Sequence, residues 1–205
     1  MPETLTNESQ RLQAAVAMVT SLAKRRPKVA IILGSGLGGL ADRIDTEASI
    51  AYEEIPGFVG SSAGGHRGEL ILGTLESVDV IAMAGRFHRY EGWSTDQIAF
   101  PVRVMNALGA STLIVSNAAG GVSPKLRVGD IVVIRDHINW IGCPSRTIFS
   151  DQRSGNSMKT PAAWPAGMPG RRDNVYDREL SELALRVAVE NQFNALYGTY
   201  LATLG

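Results

Sequence analysis

Short apolar runs that stop at small-residue loops set the rhythm of this chain. Lys28-Val29-Ala30-Ile31-Ile32-Leu33 runs into Gly34-Ser35-Gly36-Leu37-Gly38-Gly39. Val78-Asp79-Val80-Ile81-Ala82-Met83-Ala84 runs into Gly85, and Thr112-Leu113-Ile114-Val115-Ser116 into Asn117-Ala118-Ala119-Gly120-Gly121. Runs this short and continuous predict strands buried on both faces. Glu69–Leu75 predicts a further strand, joined to Val78–Ala84 by a turn at Glu76-Ser77, and Val128–Ile134 and Ala195–Thr203 predict two more. Elsewhere the apolar spacing is helical. Leu12, Ala15, Val16, Val19, Leu22 and Ala23, behind the candidate caps Asn7 and Ser9, predict a helix ending near Arg26-Pro27. A second helix, capped by Ser94 or Thr95, should run to about Leu108 and be kinked by Pro101. Leu180, Leu183, Ala184, Val187 and Ala188 predict a third over 178–191, and Leu40–Ile44 a short one. Between Cys143 and Asn174 the pattern breaks down into Ser, Gly, Pro, Met and Arg, and a long loop is expected. The succession predicts an α/β fold: a single domain over residues 1–205, with a mixed, largely parallel β-sheet surrounded by helices.

Composition narrows the function classes. The 205 residues are 44% hydrophobic and 20% charged, enough for one well-buried core. Twenty Lys and Arg balance twenty Asp and Glu, so charge gives no reason to expect a nucleic-acid or membrane-surface partner. Lys24-Arg25-Arg26 falls at a predicted helix end, where cations meet the negative pole of the dipole, and is read as structural. The single cysteine, Cys143, allows no internal disulfide and points to a reducing, cytoplasmic setting. His66, His88 and His137 are scattered, and no metal site is expected. The polar stretch Met1–Gln10 has no signal-peptide core, and no apolar run reaches the length of about 18 residues that a membrane span needs.

The chemistry gathers in the loops at the strand ends. Gly85-Arg86-Phe87-His88-Arg89-Tyr90-Glu91-Gly92 brings two cations, two aromatics, a histidine and a carboxylate together where α/β sheets carry their sites. Arg86 offers a rigid fork suited to phosphate or carboxylate, and in extended chain His88 would point to the same side, with Tyr90 behind. Strand, glycine-rich turn and helix start at Gly34–Gly39 form a second anion site, to which Ser35 adds a hydroxyl. Gly64-Gly65-His66 sits in a small-residue loop that could act as a lid carrying an imidazole. Gly34, Gly36 and Gly39 also satisfy G-x-G-x-x-G, with Glu53 about 20 residues on, as in a dinucleotide site. The stretch Ala48–Tyr52 is a poor buried parallel strand, however, and Ile55-Pro56-Gly57-Phe58 is a turn rather than a second βα unit.

Taken together, the stretches resemble the trimeric purine nucleoside phosphorylase family. They are Ile32–Gly38, Gly65-His66, Gly85–Gly92, Phe100-Pro101-Val102-Arg103, Ser116–Gly121, and Gly129-Asp130-Ile131 through Asp136-His137-Ile138-Asn139, in the family's order over about residues 28–140. The resemblance implies reversible phosphorolysis of purine (deoxy)ribonucleosides to free base and (deoxy)ribose 1-phosphate. Phosphate is the co-substrate, no cofactor is used, and a homotrimer is the expected assembly. It implies that Ser35, His66, Arg86, Phe87, His88 and the backbone N–H of Ala118 hold phosphate. Tyr90, Asn117 and Ala118 would line the nucleoside pocket, with His88 and Asn117 as the catalytic pair.

The resemblance also has departures. The family continues past the equivalent of Gly205, with a glutamate on the purine ring, a methionine under the ribose, a serine on the phosphate and an asparagine that receives the leaving base. Where the family has Arg-Phe-Pro before the equivalent of Tyr176-Asp177, this chain has Gly167-Met168-Pro169-Gly170-Arg171-Arg172. The expectation is therefore a chain that binds phosphate and turns nucleosides over poorly. The alternatives are a non-catalytic remnant binding phosphate or nucleoside, a methylthioadenosine phosphorylase and a dinucleotide-binding protein. Base preference is left open.

Overall fold

The computed structural model describes residues 8–34, 36–60, 67–139, 171–172 and 175–203. The chain forms two compact units, residues 1–119 and 120–205. Each carries a sheet of its own, five-stranded in the first and three-stranded in the second. Both sheets are mixed and have helices beside them, the α/β character expected from the sequence. Apolar runs specify strands; which edges then pair is not written in them.

In the first unit the strands are β1 (Val29–Ile32), β2 (Asp45–Ala51), β3 (Glu69–Leu75), β4 (Val78–Ala84) and β5 (Thr112–Val115), in the order β2-β3-β4-β1-β5. β1 runs parallel to both β4 and β5, whereas β2, β3 and β4 pair antiparallel. The sheet is mixed, as expected, but its parallel and antiparallel pairings are equal in number. The reason is local: Glu76 and Ser77 both adopt positive φ (47° and 67°), the backbone of a two-residue hairpin that must return the chain antiparallel.

The β4 run is continuous in apolar residues because both of its faces are covered. Ile81 and Met83 join a core with Ala15 and Val19 of α1 (Glu8–Leu22) and Phe100, Val104 and Met105 of α3 (Thr95–Ala107). Val80, Ala82 and Ala84 point the other way, into a cluster with Ile31, Leu33 and Ile44 beside α2 (Gly38–Ala41). Each such buried Ile, Leu or Met side chain contributes about 1.5–3 kcal/mol. α3 begins in a capping box: Ser94 Oγ accepts from Gln97 N at 3.2 Å, and Gln97 Oε1 accepts from Ser94 N at 2.9 Å. Pro101 lies inside α3 and is buried. α1 stops at Leu22, short of Arg26, because after a last helical bond from Ala23 N to the Val19 carbonyl the amides leave the helix for a carboxylate. Lys24 N and Arg25 N donate to Glu47, and Arg25 Nη1 donates to Asp79 at 2.6 Å. Arg25 is structural, but the run lies beyond the last turn of α1, so its hold comes from Glu47 and Asp79 rather than from the helix dipole expected from the sequence.

β5 departs from expectation. It forms, but Leu113, Ile114 and Val115 are 43%, 51% and 54% exposed. Among the described residues of its unit it is the last strand of the sheet, paired with β1 alone. The run encodes a strand but not the number of its neighbours.

The second unit holds β6 (Ile131–Asn139), β7 (Arg171–Arg172), α4 (Arg178–Glu190) and β8 (Ala195–Ala202), with β6 central, parallel to β8 and antiparallel to β7. The strand predicted at Val128–Ile134 instead starts at Ile131 and runs to Asn139. A turn consumes its first residues: Gly129 has φ +97°, and Asp130 Oδ2 accepts from Arg127 N at 2.8 Å. Asn194 Nδ2 donates to Asp130 Oδ1 at 2.6 Å; that bond, with the Arg127 amide, holds the Asp130 carboxyl below its ordinary range. Asp177 caps α4 by accepting from Leu180 N at 2.9 Å. Tyr176 Oη and His137 Nδ1 lie 3.1 Å apart. Most of the predicted Cys143–Asn174 loop lies outside the described residues. No helix among the described residues is long and apolar enough to cross a membrane.

Candidate active site

β4, β1 and β5 lie side by side and parallel, so the loops that follow them leave the same edge of the sheet. In an open α/β sheet that carboxyl edge is where ligands bind. The three loops singled out in the sequence are thereby brought together.

The β4 loop is held from beneath. The Tyr52 hydroxyl donates to the Gly85 carbonyl at 2.8 Å. Phe87 turns into the core, its ring 5.1 Å from that of Tyr52 and 6.3 Å from that of Phe58, both edge-on. Backbone alternation therefore places the half-buried Arg86 and His88 on the side opposite Phe87. What Phe87 can offer a ligand is its backbone amide, because its side chain is committed to the core.

Arg86 crosses the end of β1. β4 and β5 flank that strand, yet Arg86 Nη1 donates to the Ser116 carbonyl at the end of β5, at 2.7 Å. A guanidinium carries five N–H donors, so this anchor fixes its direction and leaves a fork for an oxyanion. His88 is extended, and its amide donates to Glu91 Oε2 at 2.8 Å. Its ring stacks on that of Tyr90, with centroids 4.7 Å apart and planes at 15°. Tyr90 sits in the short 3-10 turn Arg89–Glu91 and is 70% exposed, so its outer face is open to a ligand.

The β1 and β5 loops meet at their backbones. Gly34 N donates to Ser116 Oγ at 3.0 Å. A Cβ at Gly34 would press into the Ser116 carbonyl oxygen and come within 2.9 Å of Ser116 C and 3.0 Å of Asn117 Cα. Glycine is required here by close approach. Asn117 is half-buried, with Nδ2 donating to the Ala118 carbonyl at 3.2 Å, and Ala118 is exposed.

Arg86, Phe87, His88, Tyr90, Asn117 and Ala118 thus lie on loops at one sheet edge, whereas Ser35 and His66 fall outside the described residues. Two expectations need correction. α2 spans only Gly38–Ala41, too short for an appreciable dipole, so the helix terminus adds little to the anion site expected at the β1 loop. The dinucleotide alternative fails as well. β2 pairs antiparallel with β3 instead of lying parallel beside β1, and Glu53 is exposed in the 3-10 turn Tyr52–Glu54. Sequence reasoning missed Ser116 and Tyr52. Ser116 was marked only as the last residue of an apolar run and the first of the Ser116–Gly121 stretch, with no role of its own; Tyr52 gave no signal, since its role depends on partners remote in sequence.

Residues 28–205 match the family model of the phosphorylase superfamily. Purine nucleoside phosphorylase 1 of Bacillus subtilis (strain 168) is 44% identical over 95% of this chain and 68% of its own length. Purine nucleoside phosphorylase of Rattus norvegicus is 40% identical over 94% of this chain and 65% of its own. The fold aligns with a Schistosoma mansoni purine nucleoside phosphorylase solved in complex with inosine, at TM-score 0.75 and 38% identity, covering 96% of this chain and 66% of that one. It aligns equally, at TM-score 0.75 and 38% identity, with a purine nucleoside phosphorylase in complex with ribose 1-phosphate, covering 96% of this chain and 70% of that one. The chain spans about two thirds of the length of these relatives. It belongs to the phosphorylase superfamily, among the purine nucleoside phosphorylases.

Proposed function

We propose that the carboxyl edge of β4, β1 and β5 binds inorganic phosphate and directs it at the anomeric carbon of a purine nucleoside. The observation that carries this reading is the Arg86 guanidinium, anchored on the Ser116 carbonyl at 2.7 Å at the sheet edge where the three loops leave. Phosphate at neutral pH is partly a dianion, and a half-buried site for it needs such a fork together with oriented N–H groups. Ser35, His66, Arg86, the Phe87 amide, His88 and the Ala118 N–H are its binding groups in this reading. Tyr90, Asn117 and Ala118 line the nucleoside pocket, and His88 and Asn117 are the catalytic pair. Relatives solved with inosine and with ribose 1-phosphate support the choice of substrates.

In the reaction, a phosphate oxygen forms a bond to C1′ as the C1′–N9 bond breaks, and the bonding pair leaves with the purine. The sugar passes through an oxocarbenium-like state. The anion that attacks also stabilises that cation, so positioning and electrostatics account for the rate, without a covalent intermediate on the protein. A homotrimer and a cytoplasmic setting belong to the same proposal. The test is inosine cleavage with and without phosphate. Hypoxanthine and ribose 1-phosphate should appear together and only with phosphate. Hypoxanthine formed equally without phosphate would mean hydrolysis and would overturn the proposal.

A further inference from the structure

We propose that Ser116 is the positioning residue of the phosphate site, a role that rests on the phosphate reading above. All three of its hydrogen-bonding groups reach the neighbouring loops. Its amide donates to the Ile32 carbonyl at 3.1 Å, at the end of β1. Its hydroxyl accepts from Gly34 N at 3.0 Å and donates to the same Ile32 carbonyl at 3.3 Å. Its carbonyl accepts from Arg86 Nη1 at 2.7 Å. One residue at the end of β5 thus sets where the β1 loop lies and which way the β4 arginine points.

The hydroxyl is the part a substitution can isolate. The bonds made by the Ser116 amide and carbonyl survive in alanine or threonine, but only a side-chain oxygen can accept from Gly34 N. Without it, a buried amide loses its acceptor and the β1 loop loses its lateral hold against the residue that orients Arg86. Ser116 does not touch the reacting atoms; it acts through Gly34 and Arg86. Alanine removes the bond, whereas threonine keeps the oxygen.

The experiment is calorimetric titration of the 205-residue chain with inorganic phosphate, for the wild type, Ser116→Ala and Ser116→Thr. Ser116→Ala should weaken phosphate binding roughly 10-fold, and Ser116→Thr should restore it to within about 2-fold of the wild type. A folded Ser116→Ala chain with wild-type affinity overturns the positioning role and leaves the phosphate reading standing. A wild-type chain with no phosphate binding overturns that reading, and this role with it. Should Ser116→Ala fail to fold, amide exchange in the wild type decides: Gly34 N–H should be protected and become more so with phosphate. Exchange at the rate of free chain, or protection that phosphate leaves unchanged, contradicts the proposal.

Discussion

The Tyr52 hydroxyl donates to the Gly85 carbonyl at 2.8 Å, tying a turn before β3 to the first residue of the Arg86 loop. Tyr52 is buried and its ring packs edge-on against Phe87. Tyr52→Phe keeps the ring and removes the only donor that this side chain offers to the buried carbonyl. The expected cost is about 1–3 kcal/mol of stability, read as a lower midpoint in urea with an unchanged slope. An unaltered midpoint would show that the bond contributes nothing net.

The same burial sets an alkaline limit. Burial first, and the Glu69 charge second, raise the Tyr52 pKa above its ordinary value of 10.0. A group whose folded pKa is raised contributes stability that is fully present below the unfolded pKa and lost as pH rises above it. The wild type should therefore lose stability as pH climbs beyond about 10, and Tyr52→Phe should lose less over that interval. Equal alkaline slopes for the two chains would rule out Tyr52 as the source.

Gly34 and Gly39 make a matched pair of substitutions. An alanine methyl at Gly34 meets the Ser116 backbone, which has no rotamer by which to yield, whereas at Gly39 it meets nothing within 4 Å. Gly34→Ala should cost about 1–3 kcal/mol and weaken phosphate binding. Gly39→Ala should stay within about 0.5 kcal/mol of the wild type. Thermal unfolding and phosphate titration of both variants check the contrast, and equal behaviour would mean that the two loops separate freely.

Ser94→Ala removes the acceptor for Gln97 N at the start of α3. The expected loss is about 1 kcal/mol, with phosphate affinity unchanged because Ser94 takes no part in the Arg86–Ser116 bond. Urea denaturation gives the first quantity and titration the second; a change in phosphate affinity would show that α3 bears on the site.

Much of this was legible in the chain. β3, the Glu76-Ser77 turn and β4 fall where the apolar runs place them. The start of α3 was readable from a serine at the head of a helical pattern. The Arg86 loop was marked by its density of charged and aromatic side chains at a strand end. What the sequence withheld was long-range. The pairing of β2 with β3 and the exposure of β5 depend on which edges meet. The contacts of Ser116 and Tyr52 reach partners 82 and 33 residues away, Gly34 and Gly85. Local pattern carries no trace of such long-range pairs.

The central claim is that Arg86 holds the phosphate. Titrating the wild type and Arg86→Ala with inorganic phosphate, and separately with inosine, tests it most directly. Removing the guanidinium, with nothing to take its place, should weaken phosphate binding about 10- to 100-fold, with inosine binding little altered. Phosphate affinity unchanged by the substitution, or phosphate and inosine weakened alike, would contradict the assignment.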